Sequence, residues 1–275
     1  MRAAVVGHVE WVTFARVERM PVTGEIVHAR DAFELPAGGG PVAAVQLAKL
    51  AGGCTFFTAL GNDDLGRRAL GELRAMGLRV EAAFRDEPQR RAFTHVDDPT
   101  GERTITVMGE RLGPHASDPL PWDELASADA VYFCAGDDQA LRRARQARVL
   151  VATAREAERL ARVGVRLDAV VGSGRDPSER YVDIDPPPGL IVETLGAQGA
   201  RYRTAYGGPG TQEAVPVERV VCAYGAGDSF AAGLTYGLAE GMGAPEAVAF
   251  AARCGAACLT GRGPYEGQLG IGAPS

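Results

Sequence analysis

A single acidic residue lies in a glycine-bearing stretch where it could act as a general base. Residues 221–230 read VCAYGAGDSF, and the chain continues with the pattern of a helix. A helix that begins near Ala226 has N–H groups without intrahelical partners, and Gly225 and Gly227 lack the Cβ atoms that would hold an anion away. Asp228 could then take a proton from a hydroxyl group that attacks phosphorus. The residues alone equally allow an ordinary helix N-terminus stabilised by one acid.

Two further glycine-bearing stretches could hold polar or anionic ligands. In ETLGAQGARY (193–202), a strand ends at Thr194 and the chain turns through Gly196 and Gly199. In LPAGGGPVAAVQLAKLAGG (35–53), glycines 38–40 precede a helix that we expect to start after Pro41, with an open N-terminus. The chain contains neither G-K-[ST] nor G-x-G-x-x-G after the first strand. This argues against a P-loop and against a Rossmann dinucleotide site.

Short apolar strands alternate with stretches of helical period along most of the chain. Buried-strand patterns occur at RAAVVG, CTFFTAL and ADAVYFCAG, and DDLGRRALGELRAMG has a helical period with Asp63 as N-cap and Gly77 as its stop. Two helices, at about 226–240 and 244–260, are expected to close the chain. The alternation predicts an α/β fold with a mostly parallel sheet flanked by helices.

Two segments, 8–35 and about 88–112, are rich in β patterns and lack crossover helices. The second, RRAFTHVDDPTGERTITVMGE, predicts a hairpin with its turn in DDPTGE. Excursions of this kind from an α/β body commonly build a small sheet over the strand ends, where such folds bind ligands. We expect a lid; a pair of surface hairpins without such a role is the alternative.

The composition is that of an ordinary globular protein and excludes some partners. The chain has 29 basic and 35 acidic residues, a net charge of −6, so neither nucleic acid nor a membrane is expected as a partner. No run of 18 apolar residues occurs, and the N-terminus shows no signal-peptide pattern. The five scattered cysteines form no zinc spacing with the four histidines, so we expect reduced, buried thiols in a cytoplasmic protein.

Two of these stretches together resemble the signatures of the ribokinase-like, pfkB-type carbohydrate kinase family. Residues 38–66, GGGPVAAVQLAKLAGGCTFFTALGNDDLG, are similar to the family's glycine pair, helix, strand and G-x-D-x-x-G. Residues 223–241, AYGAGDSFAAGLTYGLAEG, are similar to its D-T-x-G-A-G-D-x-F segment. The spacing between them, the loop at 194–199 and the two β segments also agree. The resemblance therefore covers nearly the whole chain.

The resemblance implies one ribokinase-like domain over residues 1–275 that uses ATP and Mg²⁺ to phosphorylate a hydroxyl group of a sugar or related small molecule. It makes Asp228 the general base, with an anion hole formed by the backbone of Gly225, Ala226 and Gly227. It places Thr194, Gly196 and Gly199 along the nucleotide, and Gly38, Gly39 and Gly40 in the acceptor pocket. Family lids often pair two subunits, so a homodimer through the lid is also suggested.

The chain departs from the family pattern beside these motifs. Cys222 and Ala223 stand where the family has D-T, an acid that contributes to a monovalent-cation site in many members, so potassium activation is not expected. The family's N-x-x-E, linked to Mg²⁺ and phosphate, aligns best with residues 173–176. This gives Ser173 and Asp176 to the nucleotide, and Asp176 or Glu179 to the metal. Arg175 is either a phosphate ligand or a solvated surface residue.

The acceptor pocket departs most. An acid usually follows the first strand five residues after its glycine, where this chain has Val12, and the asparagine after the glycine pair aligns with Val42 or Ala43. A pocket with fewer polar groups cannot orient a polyol in the usual way. Either Glu10, His8 or Asn62 takes over, or the acceptor is less sugar-like.

Two alternatives to a sugar kinase follow from these departures. A nucleoside kinase is favoured by the less polar pocket, and Trp11 is either a platform that stacks on a ring or a core aromatic residue. A ligand-binding protein that lost turnover is favoured by the changes at Cys222, Ala223 and Ser173. The intact Gly-Ala-Gly-Asp opposes it, because a pure binder has little use for a base beside an anion hole.

Overall fold

The computed structural model describes residues 1–205 and 207–270, and strands and helices alternate along most of them. The strands are β1 (Ala3–Val6), β2 (Glu10–Val17), β3 (Asp31–Ala37), β4 (Cys54–Gly61), β5 (Arg79–Arg85), β6 (Arg91–Asp97), β7 (Arg103–Met108), β8 (Ala130–Phe133), β9 (Val149–Thr153), β10 (Ala169–Ser173), β11 (Leu190–Thr194), β12 (Ala200–Thr204) and β13 (Pro209–Gln212). The α-helices are α1 (Gly39–Ala51), α2 (Asp64–Ala75), α3 (Asp138–Ala144), α4 (Ala157–Val163), α5 (Ala226–Ala239) and α6 (Ala244–Cys258).

Nine of the described strands form a central sheet in the order β13-β12-β11-β10-β9-β8-β1-β4-β5. The strands from β11 to β5 are parallel, and β12 and β13 add an antiparallel edge. Strands buried on both faces are apolar at every position. In β1, Val5 packs into the core that α1, α2, α5 and α6 cover, whereas Ala4 and Val6 pack into the core under α3 and α4.

A separate four-stranded sheet, in the order β3-β2-β6-β7, lies beside the start of α5. Strands β2 and β6 are parallel, and the two outer strands are antiparallel to them. One face of this small sheet packs Phe14 and Val96 against Cys222 and Tyr224, which directly precede α5. The small sheet therefore covers one side of the residues that the sequence singles out.

The carboxyl ends of the parallel strands lie along one edge of the central sheet, which is where open α/β sheets bind ligands. The chain leaves this edge at His8 after β1, at Cys134 after β8 and at Arg155 after β9. Short turns follow β10 and β11 at residues 177–179 and 196–198. The same edge thus gathers loops from separate parts of the sequence.

The predicted α/β architecture, with its mostly parallel sheet, flanking helices and small β sheet, is confirmed. Asp63 is the N-cap of α2, as predicted, and its carboxylate accepts from the Gly66 N–H at 2.8 Å. The predicted start of α1 after Pro41 is wrong, because the helix begins at Gly39. Gly38, with a φ of 91°, is the N-cap, and Pro41 occupies a first-turn position that needs no N–H donor.

Candidate active site

The glycine-bearing stretch forms the start of α5. Gly225 is the N-cap with a φ of 84°, and α5 begins at Ala226. A Cβ atom at Gly225 would lie 2.9 Å from side-chain atoms of Val42 and Pro264, so glycine is required there. A Cβ atom at Gly227 would meet no described atom within 4 Å. The first turn of α5 therefore has free space beside Gly227, and its N–H groups lack intrahelical partners.

Asp228 lies where the N-termini of α5 and α1 meet. An added Cβ atom at Gly39, the first residue of α1, would lie 2.9 Å from Oδ1 of Asp228 and 3.8 Å from Sγ of Cys134. A Cβ atom at Gly40 would lie 2.6 Å from the carbonyl oxygen of His8. The two glycines thus let α1 approach both the end of β1 and the carboxylate. As a result, the positive ends of two helix dipoles converge near Asp228.

Burial raises the pKa of the Asp228 carboxyl group to about 7. The negative charges of Glu179 and Glu10 add to this rise, while Arg103 and Arg155 oppose it. A carboxyl group with a pKa near neutral pH can accept a proton in one step and release it in the next. Because Glu179 follows β10 and Glu10 begins β2, Asp228 lies within reach of charges from two separate parts of the site.

The residues predicted to follow the nucleotide lie together at the carboxyl ends of β10 and β11. Ser173 and Thr194 are paired across these strands, and the Gly174 N–H donates to the Thr194 carbonyl at 2.9 Å. Gly196 and Gly199 have φ values of 61° and 81° and are joined by an N–H to carbonyl bond of 2.9 Å. The loop at 194–199 is therefore a tight turn at the edge of the sheet.

Arg175 lies against this turn. A Cβ atom at Gly196 would be 2.8 Å from Nη1 of Arg175. The Arg175 side chain is 63% exposed, and it has one long ion pair, to Glu102 at 3.5 Å. The structure thus places an exposed positive charge beside the loop, although the side chain is also solvated.

Asp176 and Glu179, the two candidate acids for a metal ion, are joined by Arg155. The Arg155 guanidinium donates to Oδ2 of Asp176 at 2.8 Å and forms an ion pair with Glu179. Bonds from the Ser178 hydroxyl and N–H, together with Arg155, hold the pKa of Asp176 below its usual value. Both acids are therefore held in place beside the turn at 194–199.

Glu10 lies against Gly38, the residue that precedes Gly39 at the start of α1. A Cβ atom at Gly38 would lie 3.3 Å from Cγ of Glu10 and 3.4 Å from Nε2 of His8. The Oε1 atom of Glu10 accepts from Nε of Arg90 at 2.9 Å and lies 3.7 Å from Nε2 of His8. Burial raises the pKa of Glu10, and Arg90 opposes the rise. We call His8, Glu10 and Arg90 the acceptor-side cluster.

His8 contributes a neutral ring to this cluster. Its pKa is lowered well below the usual value by burial, with further contributions from Arg111, Arg90 and Arg155. Nδ1 of His8 is buried, and among the described residues it has no hydrogen-bond partner. Leaving a buried polar atom without a partner costs free energy, so this ring is an unusual feature of the cluster.

Two other candidates lie away from the acceptor-side cluster. Asn62 is exposed, and its side-chain oxygen accepts from Arg67 at 2.8 Å. Trp11 is 1% exposed, donates from Nε1 to Glu34 at 3.2 Å and carries the Arg68 guanidinium over its ring at 4.4 Å. Trp11 is therefore a core aromatic residue, whereas the side chain of Asn62 is bonded to Arg67 on the surface.

Several residues of the site were not predicted from the sequence. The Tyr224 hydroxyl accepts from the Gly38 N–H at 3.0 Å and so supports the start of α1. Arg111 pairs with buried Glu156 at 2.6 Å and donates to the Cys134 carbonyl. Arg103 pairs across the small sheet with Val96, on the face that covers the site. The alternation along the predicted hairpin would have shown which of its residues share this face.

The position expected to hold a monovalent cation lacks suitable ligands. Cys222 is fully buried, and burial raises the pKa of its thiol, so it carries no negative charge. The neighbouring Val221 carbonyl already accepts from the Arg16 guanidinium at 3.1 Å, and Arg16 is paired with Asp98 at 3.2 Å. A neutral thiol and a fixed guanidinium do not fit a potassium ion.

In the part of the chain that the structure describes, no group of three or more potential ligand side chains could hold a metal ion. A metal in this site would therefore need phosphate oxygens as further ligands. That requirement matches Mg²⁺, which commonly binds one or two carboxylates together with substrate phosphates and water. Asp176 and Glu179 supply two carboxylates of this kind, both paired with Arg155 in this structure. Across residues 1–205 and 207–270, no helix is long and apolar enough to span a bilayer.

A carboxylate at two converging helix N-termini, on a mostly parallel sheet with a small sheet beside it, defines the architecture of a ribokinase-like kinase. The chain belongs to the pfkB family of carbohydrate kinases, whose profile matches residues 2–181 and 134–269. The predicted family is thus confirmed. Because the family consists of carbohydrate kinases, the predicted enzyme class, a kinase, is confirmed with it.

Individual relatives are more distant. A ribokinase from Dictyostelium discoideum is 31% identical over 107 residues, which are 38% of this chain and only 33% of that relative. The structure of Thermotoga maritima ribokinase is 20% identical with a TM-score of 0.76, over 98% of this chain and 96% of that one. Arabidopsis thaliana ribokinase, solved with ribose and ATP, is 21% identical with a TM-score of 0.72, over 97% and 95%. Both structures share the fold.

Proposed function

We propose that this chain transfers the γ-phosphoryl group of ATP to a hydroxyl group of a sugar or related small molecule. The observation that carries the proposal is the setting of Asp228. Its carboxyl group has a pKa of about 7 and touches the start of α1 from within the first turn of α5. A base beside unpaired N–H groups suits a reaction in which a hydroxyl group attacks an anionic phosphoryl group.

In the proposed reaction, Asp228 accepts the proton of the acceptor hydroxyl as its oxygen forms the new bond to phosphorus. The bond between that phosphorus and the bridging oxygen of ADP breaks, and ADP leaves with the electron pair. The N–H groups of Gly225, Ala226 and Gly227 stabilise the charge on the transferring phosphoryl oxygens. Arg103, which acts on Asp228 across the site, adds positive charge from the small sheet.

The nucleotide is proposed to lie along Ser173, Thr194, Gly196 and Gly199. Two features support this: these residues are adjacent at the carboxyl edge of the sheet, and the Arabidopsis relative of the same fold was solved with ATP. Asp176 and Glu179 would hold Mg²⁺ together with the phosphates. When bound, that ion neutralises negative charge on the phosphates.

We further propose that the chain acts as one domain, with segments 8–35 and 88–112 as a lid, in the cytoplasm. All five cysteines are free and buried, which suits a reducing compartment. The outer strand β7 is exposed along its length, with Ile105, Val107 and Met108 all above a third exposed. An exposed edge strand of this kind supports a homodimer through the lid.

ADP release with ATP and Mg²⁺, measured across sugars and nucleosides, tests the proposed activity. We expect ADP release that depends on the acceptor and a product whose mass is higher by one phosphoryl group. ATP binding without turnover on any acceptor would instead support a binding protein. Faster turnover of nucleosides than of sugars would assign the chain to nucleoside kinases.

A further inference from the structure

Glu10 is bonded to Arg90, so it has a partner within the protein as well as any substrate hydroxyl group it contacts. Its Oε1 atom is held by Nε of Arg90 at 2.9 Å, and both side chains are mostly buried, at 9% and 19% exposed. Among the described residues, neither Nη atom of Arg90 has a hydrogen-bond partner. Glu10 therefore fixes the guanidinium by one edge and leaves its two-nitrogen fork unused.

The other arginines near His8 are already committed. Arg111 uses both of its Nη atoms, one on Glu156 and one on the Cys134 carbonyl. Arg155 uses all three of its nitrogens on Asp176, Ser178 and Glu179. Arg90 is thus the arginine of this group whose donors are left for a ligand.

The acceptor-side cluster is contiguous with the proposed base. Glu10 and His8 both lie against Gly38, and the next residue, Gly39, lies against Asp228. Through its bond to Glu10, Arg90 therefore belongs to the same side of the site as the start of α1. Burial, followed by the positive charges of Arg111, Arg90 and Arg155, lowers the pKa of His8, so its neutral ring adds no charge of its own at this end of the site.

We propose that the acceptor carries an oxyanion, a phosphate or a carboxylate, and that the Nη fork of Arg90 binds it. This inference rests on the proposed kinase activity. A planar guanidinium suits a phosphate or carboxylate because it can donate two parallel hydrogen bonds. Oε2 of Glu10, which has no described partner, remains for a neighbouring hydroxyl group.

Matched acceptors test the proposal: ribose against ribose 5-phosphate, fructose against fructose 6-phosphate, and glucose against gluconate. For the preferred anionic acceptor we expect a kcat/KM roughly ten- to a hundredfold above that of its neutral partner, the range of a charge-assisted hydrogen bond. Whether the phosphates or the carboxylate give the higher kcat/KM identifies the oxyanion that the site binds. Neutral acceptors that match or exceed every anionic partner would overturn the proposal.

Variants at position 90 locate the effect. Arg90→Gln should remove most of the preference for the anionic acceptor, chiefly through KM, while Arg90→Lys should keep part of it. Arg91→Gln is the matched control, because Arg91 is exposed and alternates to the opposite face of the small sheet. An anionic preference that survives in a folded Arg90→Gln protein would contradict the role of Arg90.

Calorimetric binding of the same compounds separates this inference from the kinase activity. If no acceptor is phosphorylated, the kinase proposal fails, and binding still decides the subsite. Tighter binding of an anionic compound than of its neutral partner, lost in Arg90→Gln, would support the anion subsite. Equal binding of the two compounds, or a preference that Arg90→Gln retains, would contradict it.

Discussion

Gly39 and Asp228 touch across the meeting point of two helices: a Cβ atom on Gly39 would lie 2.9 Å from the Asp228 carboxylate. The carboxylate comes from the first turn of α5, and the glycine is the first residue of α1. The glycine-bearing stretches that begin α1 and α5 thus contribute to the same place in the structure. Each leaves room at a helix N-terminus, and together they hold the Asp228 carboxylate between them.

Gly39→Ala should reduce turnover by displacing this base. A Cβ atom at 2.9 Å is closer than side chains tolerate, and a misplacement near 1 Å can cost about 10²-fold in rate. We expect a fall of about that size in kcat with a smaller change in ATP affinity. Gly71→Ala in α2 is the control, because its Cβ atom would meet no described atom within 4 Å. Equal kcat in the two variants would show that Gly39 does not position Asp228.

The pH dependence of turnover should report the carboxyl group of Asp228. Because its pKa is raised to about 7, the base is mostly protonated below that pH and mostly ionised above it. We expect kcat/KM for the acceptor to rise about tenfold per pH unit below pH 7 and to level off above it. The profile is measured with an acceptor that does not itself titrate in this range. A flat profile from about pH 5 to pH 8 would contradict this assignment of the base.

The same raised pKa makes Asp228 a source of pH-dependent stability. The folded protein keeps a proton on Asp228 between the usual pKa of 3.8 and about 7, where the unfolded chain has lost it. The free energy of unfolding that this group contributes is therefore complete below pH 3.8 and is lost as the pH rises through 7. Asp228→Asn should raise Tm relative to the native chain more at about pH 8 than at about pH 5. Parallel Tm curves for the two proteins would rule out the raised pKa.

Turnover should not depend on potassium. A buried neutral thiol at Cys222 and a guanidinium on the Val221 carbonyl occupy the region where the resemblance expects a cation. We expect equal rates when K⁺ is replaced by Na⁺ or by choline at constant ionic strength. Strong activation by K⁺ over Na⁺ would show that other groups bind the ion.

The fold and the place of Asp228 in the first turn of a helix could be predicted from the sequence because they depend on local patterns. Strand and helix periods predict the α/β sheet, and the glycines beside Asp228 predict an open helix N-terminus. The arginines of the site could not be found in this way. Arg90 and Arg155 reach it from loops far apart in sequence, and only tertiary packing sets them beside Glu10 and Glu179.

Asn62 shows the converse limit: the sequence predicts it as a site residue, and the structure places its side chain on the surface. It follows a predicted strand directly, as a site residue should, yet its side chain accepts from Arg67 on the surface. Which way a side chain points after a strand depends on its neighbours in the next turn. The sequence allows Trp11 to be either a stacking platform or a core residue, and its burial shows that it is a core residue.

Single-turnover phosphoryl transfer by Asp228→Asn, with ATP and acceptor both bound, tests the kinase proposal most directly. The amide keeps the shape of the side chain but cannot accept the proton, so we expect a rate lower by roughly 10²–10⁴-fold with ATP binding retained. An unchanged rate in a folded Asp228→Asn protein would remove Asp228 from the role of base.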